Sequence, residues 1–188
     1  IRKAVEKISS KLPKTKPVKF IAYFQSFSNT YETPGNPFEN IADIFHKAIS
    51  HPEICALSIG TRPDCISGRM IDFLSELNKE KHVWIELGLQ TIHEKTAEKI
   101  NRGYSLDVFC DTYKRLKDKG LSVIVHTILW LPGETKDMMK ETASYLAALT
   151  PPPDGLKSQL PQTLRKTKMA KDYEKNPWSL PGMNEYCR

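Results

Sequence analysis

The chain has 188 residues, 39% of them hydrophobic, and its 28 lysines and arginines against 22 acidic residues leave a formal charge of +6. That apolar content excludes a disordered tail, and no uninterrupted apolar run approaches the roughly 20 residues of a membrane span. The length suits a single domain over residues 1–188, short of the roughly 250 residues of a complete eight-unit α/β barrel, so a barrel here has to be partial.

The positive charge is mild and spread along the chain, which fits an ordinary solvated surface better than a nucleic-acid footprint. Cys55, Cys65, Cys110 and Cys187 are scattered, and Ile1 to Leu12 is charged and amphipathic, unlike a secretory signal. Both features predict a reduced, cytoplasmic protein.

In chain order, apolar residues at helical spacing predict a helix from Ile1 to Leu12, ended by Pro13 and Pro17. Lys19 to Ser26 (KFIAYFQS) predicts a strand, and a loop through Pro34-Gly35-Asn36-Pro37 leads to a helix from Glu39 to Ser50 with Ile41, Ile44, Phe45, Ala48 and Ile49 on one face. Cys55 to Gly60 is the second strand, closed by Thr61-Arg62-Pro63-Asp64, and Ser67 to Asn78 the next helix. Val83 to Gln90 is the third strand, followed by helices at Glu94 to Ile100 and Leu106 to Lys119, the latter stopped by Gly120. Ser122 to Leu131 is the fourth and most hydrophobic strand, Glu134 to Leu149 its helix, Leu156 to Leu160 a weak fifth strand and Thr163 to Glu174 a last helix. Strands alternating with helices predict βαβ units and a parallel sheet covered on both faces. Because the chain opens on a helix that runs into a strand, the strand before that helix is expected upstream of Ile1.

Ligand chemistry in parallel α/β folds sits at the C-terminal ends of the strands, and these ends are polar. They carry Gln25 and Ser26, then Arg62, then Glu86 and Gln90 on one face, then His126 ahead of Leu131-Pro132-Gly133-Glu134-Thr135. Unpaired amides and guanidiniums are not tolerated in a dry interior, so the convergence speaks for a site. Bland readings stand beside it. His126 suits a satisfied core histidine, Glu86 a buried partner of Arg62 or Arg102, and Asn101-Arg102-Gly103 a helix C-cap with a solvent arginine. Glu134 suits a helix N-terminus, and Tyr23, Phe24, Phe27 and Tyr31 suit packing. His46, His51, His82 and His93 read as surface residues. No GxGxxG, Walker, GxSxG or HExxH motif and no His/Cys set at metal spacing occurs, so no catalytic residue is assigned.

The order Gly88-Leu89-Gln90-Thr91, Ile100-Asn101-Arg102-Gly103 and His126-Thr127-Ile128-Leu129-Trp130-Leu131-Pro132-Gly133-Glu134-Thr135 resembles the radical S-adenosylmethionine (SAM) superfamily. With Tyr23 to Tyr31 and Ser58 to Cys65, it resembles the Fe–S oxidoreductase branch related to oxygen-independent coproporphyrinogen oxidases and elongator-type tRNA enzymes. The resemblance implies an α/β fold, a partial (βα)6 TIM-like barrel whose first strand and cluster loop are missing from this chain, and a core domain truncated at both ends. It implies a [4Fe–4S] cluster on three cysteines, SAM as the second cofactor, and a 5′-deoxyadenosyl radical that abstracts hydrogen from a substrate.

Carried over by motif, Gln90 faces the ribose or methionine of SAM, Arg102 pairs with its carboxylate and His126 takes a ribose-binding position. Leu131-Pro132 lines the adenine, Gln25 and Ser26 lie where the amino group is held, and Arg62 joins them as a cofactor-binding residue. An electron donor such as flavodoxin or ferredoxin is implied, with tRNA or a small molecule as substrate and no membrane partner.

The chain departs from the pattern in lacking the three clustered cysteines, in carrying Trp130 where the motif usually has glycine, and in lacking the usual acidic residue on the strand ending at Gly60. The expectation is therefore an enzyme core that is inactive without its cluster segment, with no metal ligand of its own. A degenerate barrel binding a nucleotide, RNA or a protein partner is the alternative.

Overall fold

A computed structural model describes residues 2–11, 18–178 and 181–182. Leu12, Pro13 and Pro17, expected to end the first helix, and Cys187 lie outside the described residues. The helices are α1 (Arg2–Ser9), α2 (Phe38–Ile49), α3 (Gly68–Glu80), α4 (Glu94–Lys99), α5 (Leu106–Asp118), α6 (Lys136–Ala148) and α7 (Lys168–Lys175). The strands are β1 (Phe20–Phe24), β2 (Ile54–Thr61), β3 (His82–Gln90), β4 (Ser122–Ile128) and β5 (Gly155–Gln159). They follow one another in one sheet in the order β1-β2-β3-β4-β5, with β1 on β2 and β2 on β3 in parallel register. Sequential order with a helix in each connection is what short crossover units produce.

The chain divides into two compact units, Ile1–Gly88 with Asp107–Ile124, and Leu89–Leu106 with Val125–Arg188. In the first, Ile41, Phe45, Ala48 and Ile49 of α2 are buried, while Ile44 stays 47% exposed although the helical stripe included it. Phe24 meets Phe45 edge-on at 4.9 Å, a geometry that suits the ring quadrupoles. Ser67 caps α3 by accepting a hydrogen bond from the Met70 amide, and Met70, Ile71, Leu74 and Leu77 bury their apolar stripe. A short 3₁₀ turn at Pro63–Cys65, absent from the sequence reading, is held by the Thr112 hydroxyl of α5, which donates to the Pro63 carbonyl at 3.0 Å.

In the second unit, β4 ends at Ile128, three residues earlier than hydrophobicity suggested. The reason is local: Trp130 has φ +58°, a left-handed conformation that no strand continues. The last helix starts at Lys168, because Thr167 supplies the cap by accepting from the Ala170 amide. Among the described residues no helix is long and apolar enough to cross a membrane.

Candidate functional site

In the first unit the ends of β1 and β2 are fastened together by residues that composition did not single out. Asn29 donates from its side-chain amide to the carbonyls of Phe24 at 2.8 Å and Gly60 at 2.9 Å. Fully buried Thr30 bonds the Thr61 hydroxyl at 2.7 Å and donates to the Cys65 carbonyl at 2.8 Å. Gly60 lets the two strand ends approach closely: a Cβ there would stand 3.3 Å from the Phe24 carbonyl oxygen, which would have to give by a few tenths of an ångström. These contacts set the loop that carries Gln25 and Ser26, both exposed. Phe27 follows them with φ +61° and is 98% exposed, so it is not the packing residue expected.

Arg62, at the end of β2, forks onto Asp64 at 2.9 and 2.7 Å. Buried Glu86 accepts hydrogen bonds from Tyr23 at 2.7 Å and Ser58 at 2.8 Å, two hydroxyls reaching it from β1 and β2. Such bonds offset the cost of burying a carboxylate. Burial pushes the Cys65 thiol above its usual value, so it stands protonated, the unreactive form.

In the second unit Gln90 is the central residue of a three-residue turn, closed by the Thr91 amide donating to the Leu89 carbonyl at 2.9 Å, with φ +69°. This positive-φ γ-turn is rare and strained. Arg102 holds it. Its Nη1 donates to the carbonyls of Leu89 at 3.3 Å and Thr91 at 2.7 Å, the residues on either side of Gln90. Its Nε donates to the Tyr104 carbonyl, and Nη2 to both carboxylate oxygens of Glu94 at 3.0 and 3.1 Å. These five hydrogen bonds match the five N–H donors of a guanidinium.

Arg102 is 5% exposed, not the solvent arginine of the capping reading, and its donors are not directed at Glu86. The cap itself is present: the amides of Asn101 and Arg102 donate to the carbonyls of Glu98 and Ala97, and Asn101 has φ +55°. That is a Schellman motif, which places Arg102 where the guanidinium reaches back under β3.

The Leu131-Pro132-Gly133-Glu134-Thr135 turn is tied to the same strand end. Buried Thr91 donates to the Glu134 carboxylate at 2.5 Å, and the Glu134 amide closes the turn on the Leu131 carbonyl at 2.9 Å. Thr135, accepting from the Met138 amide, is the cap of α6, so Glu134 is turned inward instead of serving the helix end. Burial raises the Glu134 carboxyl above its ordinary range, opposed by the Thr91 hydrogen bond and by His93. His93 is not a surface residue either; it is mostly buried, with Nε2 at 2.9 Å from the Met138 carbonyl oxygen. His126 is half-buried within β4, and Leu131 is 2% exposed. The quoted motifs named Thr91 and Glu134, but spacing alone did not reveal that they meet.

Among the described residues no group of three or more His, Cys, Asp or Glu is placed to hold a metal. Cys55 is exposed, and Cys65 and Cys110 are half-buried. The described cysteines therefore offer no ligand set for an iron–sulfur cluster.

The profile of the Radical SAM superfamily matches residues 16–146. The Bacillus subtilis protein YtqA is 39% identical over 175 residues, 93% of this chain and 52% of that protein. A Methanocaldococcus infernus protein named tRNA uridine(34) acetyltransferase is 34% identical over 86 residues, 46% of this chain and 16% of that one. Among solved structures, the archaeal Elp3 of Methanocaldococcus infernus with an N-terminal deletion superposes with a TM-score of 0.69 at 20% identity, over 94% of this chain and 44% of that one. Coproporphyrinogen III oxidase (HemN) of Escherichia coli, a radical SAM enzyme by its description, gives 0.54 at 16% identity, over 92% and 51%.

The chain belongs to the radical SAM superfamily, a superfamily of enzymes. Its fold class is the α/β, partial TIM-like barrel of that superfamily. The chain spans about half the length of the curated relatives it matches most fully.

Proposed function

We propose that this chain is the SAM-binding part of a radical SAM enzyme core, in which Gln90, His126 and Leu131, with Gln25, Ser26 and Arg62, face the cofactor. The observation that supports this most is the strained turn at Gln90 bracketed by Arg102. A folded chain keeps such backbone strain where the surroundings over-determine it, and such positions cluster at ligand sites. Arg102, carried over by motif as a partner of the SAM carboxylate, is reassigned as a positioning residue, because its donors are already taken by protein acceptors.

A [4Fe–4S] cluster bound beside SAM would supply the electron for SAM cleavage, and its cysteine ligands are proposed to belong to the full reading frame, outside the described residues. A tRNA substrate is supported by the name of the archaeal acetyltransferase relative; flavodoxin or ferredoxin as electron donor, and a cytoplasmic location, remain part of the same proposal.

The test is anaerobic reconstitution of the protein from its full reading frame, measuring iron and sulfide per chain and 5′-deoxyadenosine formed from SAM. Iron uptake with 5′-deoxyadenosine production is the expected result. Gln90→Ala should weaken SAM binding about tenfold, the size of one lost well-oriented hydrogen bond, with the melting temperature little changed. No iron uptake, together with salt-sensitive RNA binding and no SAM binding, would establish the degenerate-barrel alternative instead.

A further inference from the structure

A cavity in the Leu89–Leu106, Val125–Arg188 unit shares only Pro132 with the residues assigned above to SAM. It has a volume of about 670 Å³ and lies among the Lys99-Ile100-Asn101 turn, Pro132-Gly133 and α7 with Trp178. That is within the range of small-molecule sites. Three ammonium groups line it, from Lys99, Lys168 and Lys175, against the single carboxylate of Asp172. None of the three lysines has an ion-pair partner among the described residues.

Lys99 is held over a glycine: a Cβ at Gly133, where φ is +88°, would stand 2.9 Å from the Lys99 Nζ. A side chain at Gly133 would strain the positive-φ backbone and make the Lys99 ammonium shift. Trp178 packs edge-on against Tyr173 at 4.7 Å and 85°, and its indole Nε1 is buried without an acceptor among the described residues. Met169, Pro132 and Ile100 add apolar surface, and Asn101 and Asn176 add amides.

We propose that this cavity is a binding site for a phosphate-bearing nucleotide. Lysines are compact point charges suited to phosphate. The indole and its apolar neighbours suit a flat heteroaromatic base, and the amides suit its edge or the ribose. SAM is a poor occupant, because its sulfonium and amino group would meet three ammoniums. The nucleotide can come from an RNA strand or be free in solution; the first source deepens the tRNA reading above and rests on it, whereas the site itself does not.

The experiment titrates the chain with a short, labelled single-stranded RNA by fluorescence anisotropy, with AMP, adenosine and SAM as competitors. AMP is expected to compete far better than adenosine. Lys168→Ala with Lys175→Ala should weaken RNA binding at least tenfold and reduce the slope of log K against log salt by about 1.4. Trp178→Ala should cost about tenfold, and Lys168→Arg with Lys175→Arg should retain binding. RNA binding tighter than AMP assigns the strand as the source, and AMP binding as tight as RNA assigns the free nucleotide.

Affinity unchanged by the double alanine variant, adenosine competing as well as AMP, or SAM displacing the RNA as well as AMP does would each overturn the site. All four lysine substitutions are at exposed positions of α7, and a thermal melt checks that the fold is intact. Binding needs no cluster, so 5′-deoxyadenosine formation by the reconstituted double alanine variant separates failure here from failure of the radical SAM reading.

Discussion

Glu134 shows how a single residue takes its role from its surroundings. The sequence offers it as a favourable charge before a helix, yet the side chain accepts from Thr91 and is desolvated. A raised carboxyl pKa in the folded state means that the folded chain holds this proton more tightly than the unfolded chain does. The contribution to stability is therefore full below the ordinary carboxylate pKa and is lost as pH rises through the raised one. Glu134→Gln keeps an acceptor for the Thr91 hydroxyl and has no charge to bury. The melting temperature of the variant relative to the parent should rise between pH 4 and pH 7, and a difference that stays flat would refute the assignment.

Trp130 is the second residue whose position matters more than its type. Its φ of +58° is a backbone conformation that glycine adopts most readily. Trp130→Gly should leave stability within about 1 kcal/mol, because relief of the left-handed backbone offsets the lost contacts. Trp130→Val, β-branched at positive φ, should be roughly 2 kcal/mol less stable than the glycine variant by denaturant unfolding.

At the scale of elements, two connections carry the strand ends. The turn from α4 into the Arg102 loop fixes the end of β3. Arg102→Ala removes the guanidinium donors to the carbonyls of Leu89, Thr91 and Tyr104, of which Leu89 keeps the Thr91 amide, so it should cost about 3 kcal/mol. Arg102→Lys should not rescue it, since one ammonium cannot bracket two carbonyls and also fork onto Glu94. Full stability of the lysine variant would show that the fork is not needed.

The β1 connection depends on Thr30. Thr30→Val keeps the shape but removes the bonds to Thr61 and Cys65. It should cost about 1–3 kcal/mol, read as a fall in melting temperature of roughly 2–10 °C for a chain of this size. Both devices escape a reading by periodicity, because a side chain that bonds a carbonyl far along the chain leaves no local pattern. The elements themselves were legible. Met70, Ile71, Leu74 and Leu77 recur at helical spacing and all four are buried, and Ser67 stands at the cap where a short hydroxyl is favoured.

At the scale of the whole molecule, the alternation of apolar strands with amphipathic helices determined the α/β class and a parallel sheet, because parallel strands need crossovers and helices need a face to cover. The ordered motifs from Gly88 to Thr135 pointed to the superfamily that the family profile identifies. What the sequence by itself could not decide is where each polar side chain spends its hydrogen bonds. Arg102 reads as a ligand for a carboxylate until folding brings Leu89, Thr91, Tyr104 and Glu94 around it. Glu86 reads as an arginine's partner until β1 and β2 bring Tyr23 and Ser58 to it. The lysines of α7 meet Trp178 and Pro132-Gly133 in one cavity only in the fold. Periodicity is a property of neighbours along the chain and survives in the sequence, whereas hydrogen-bond satisfaction depends on residues brought together only by the fold.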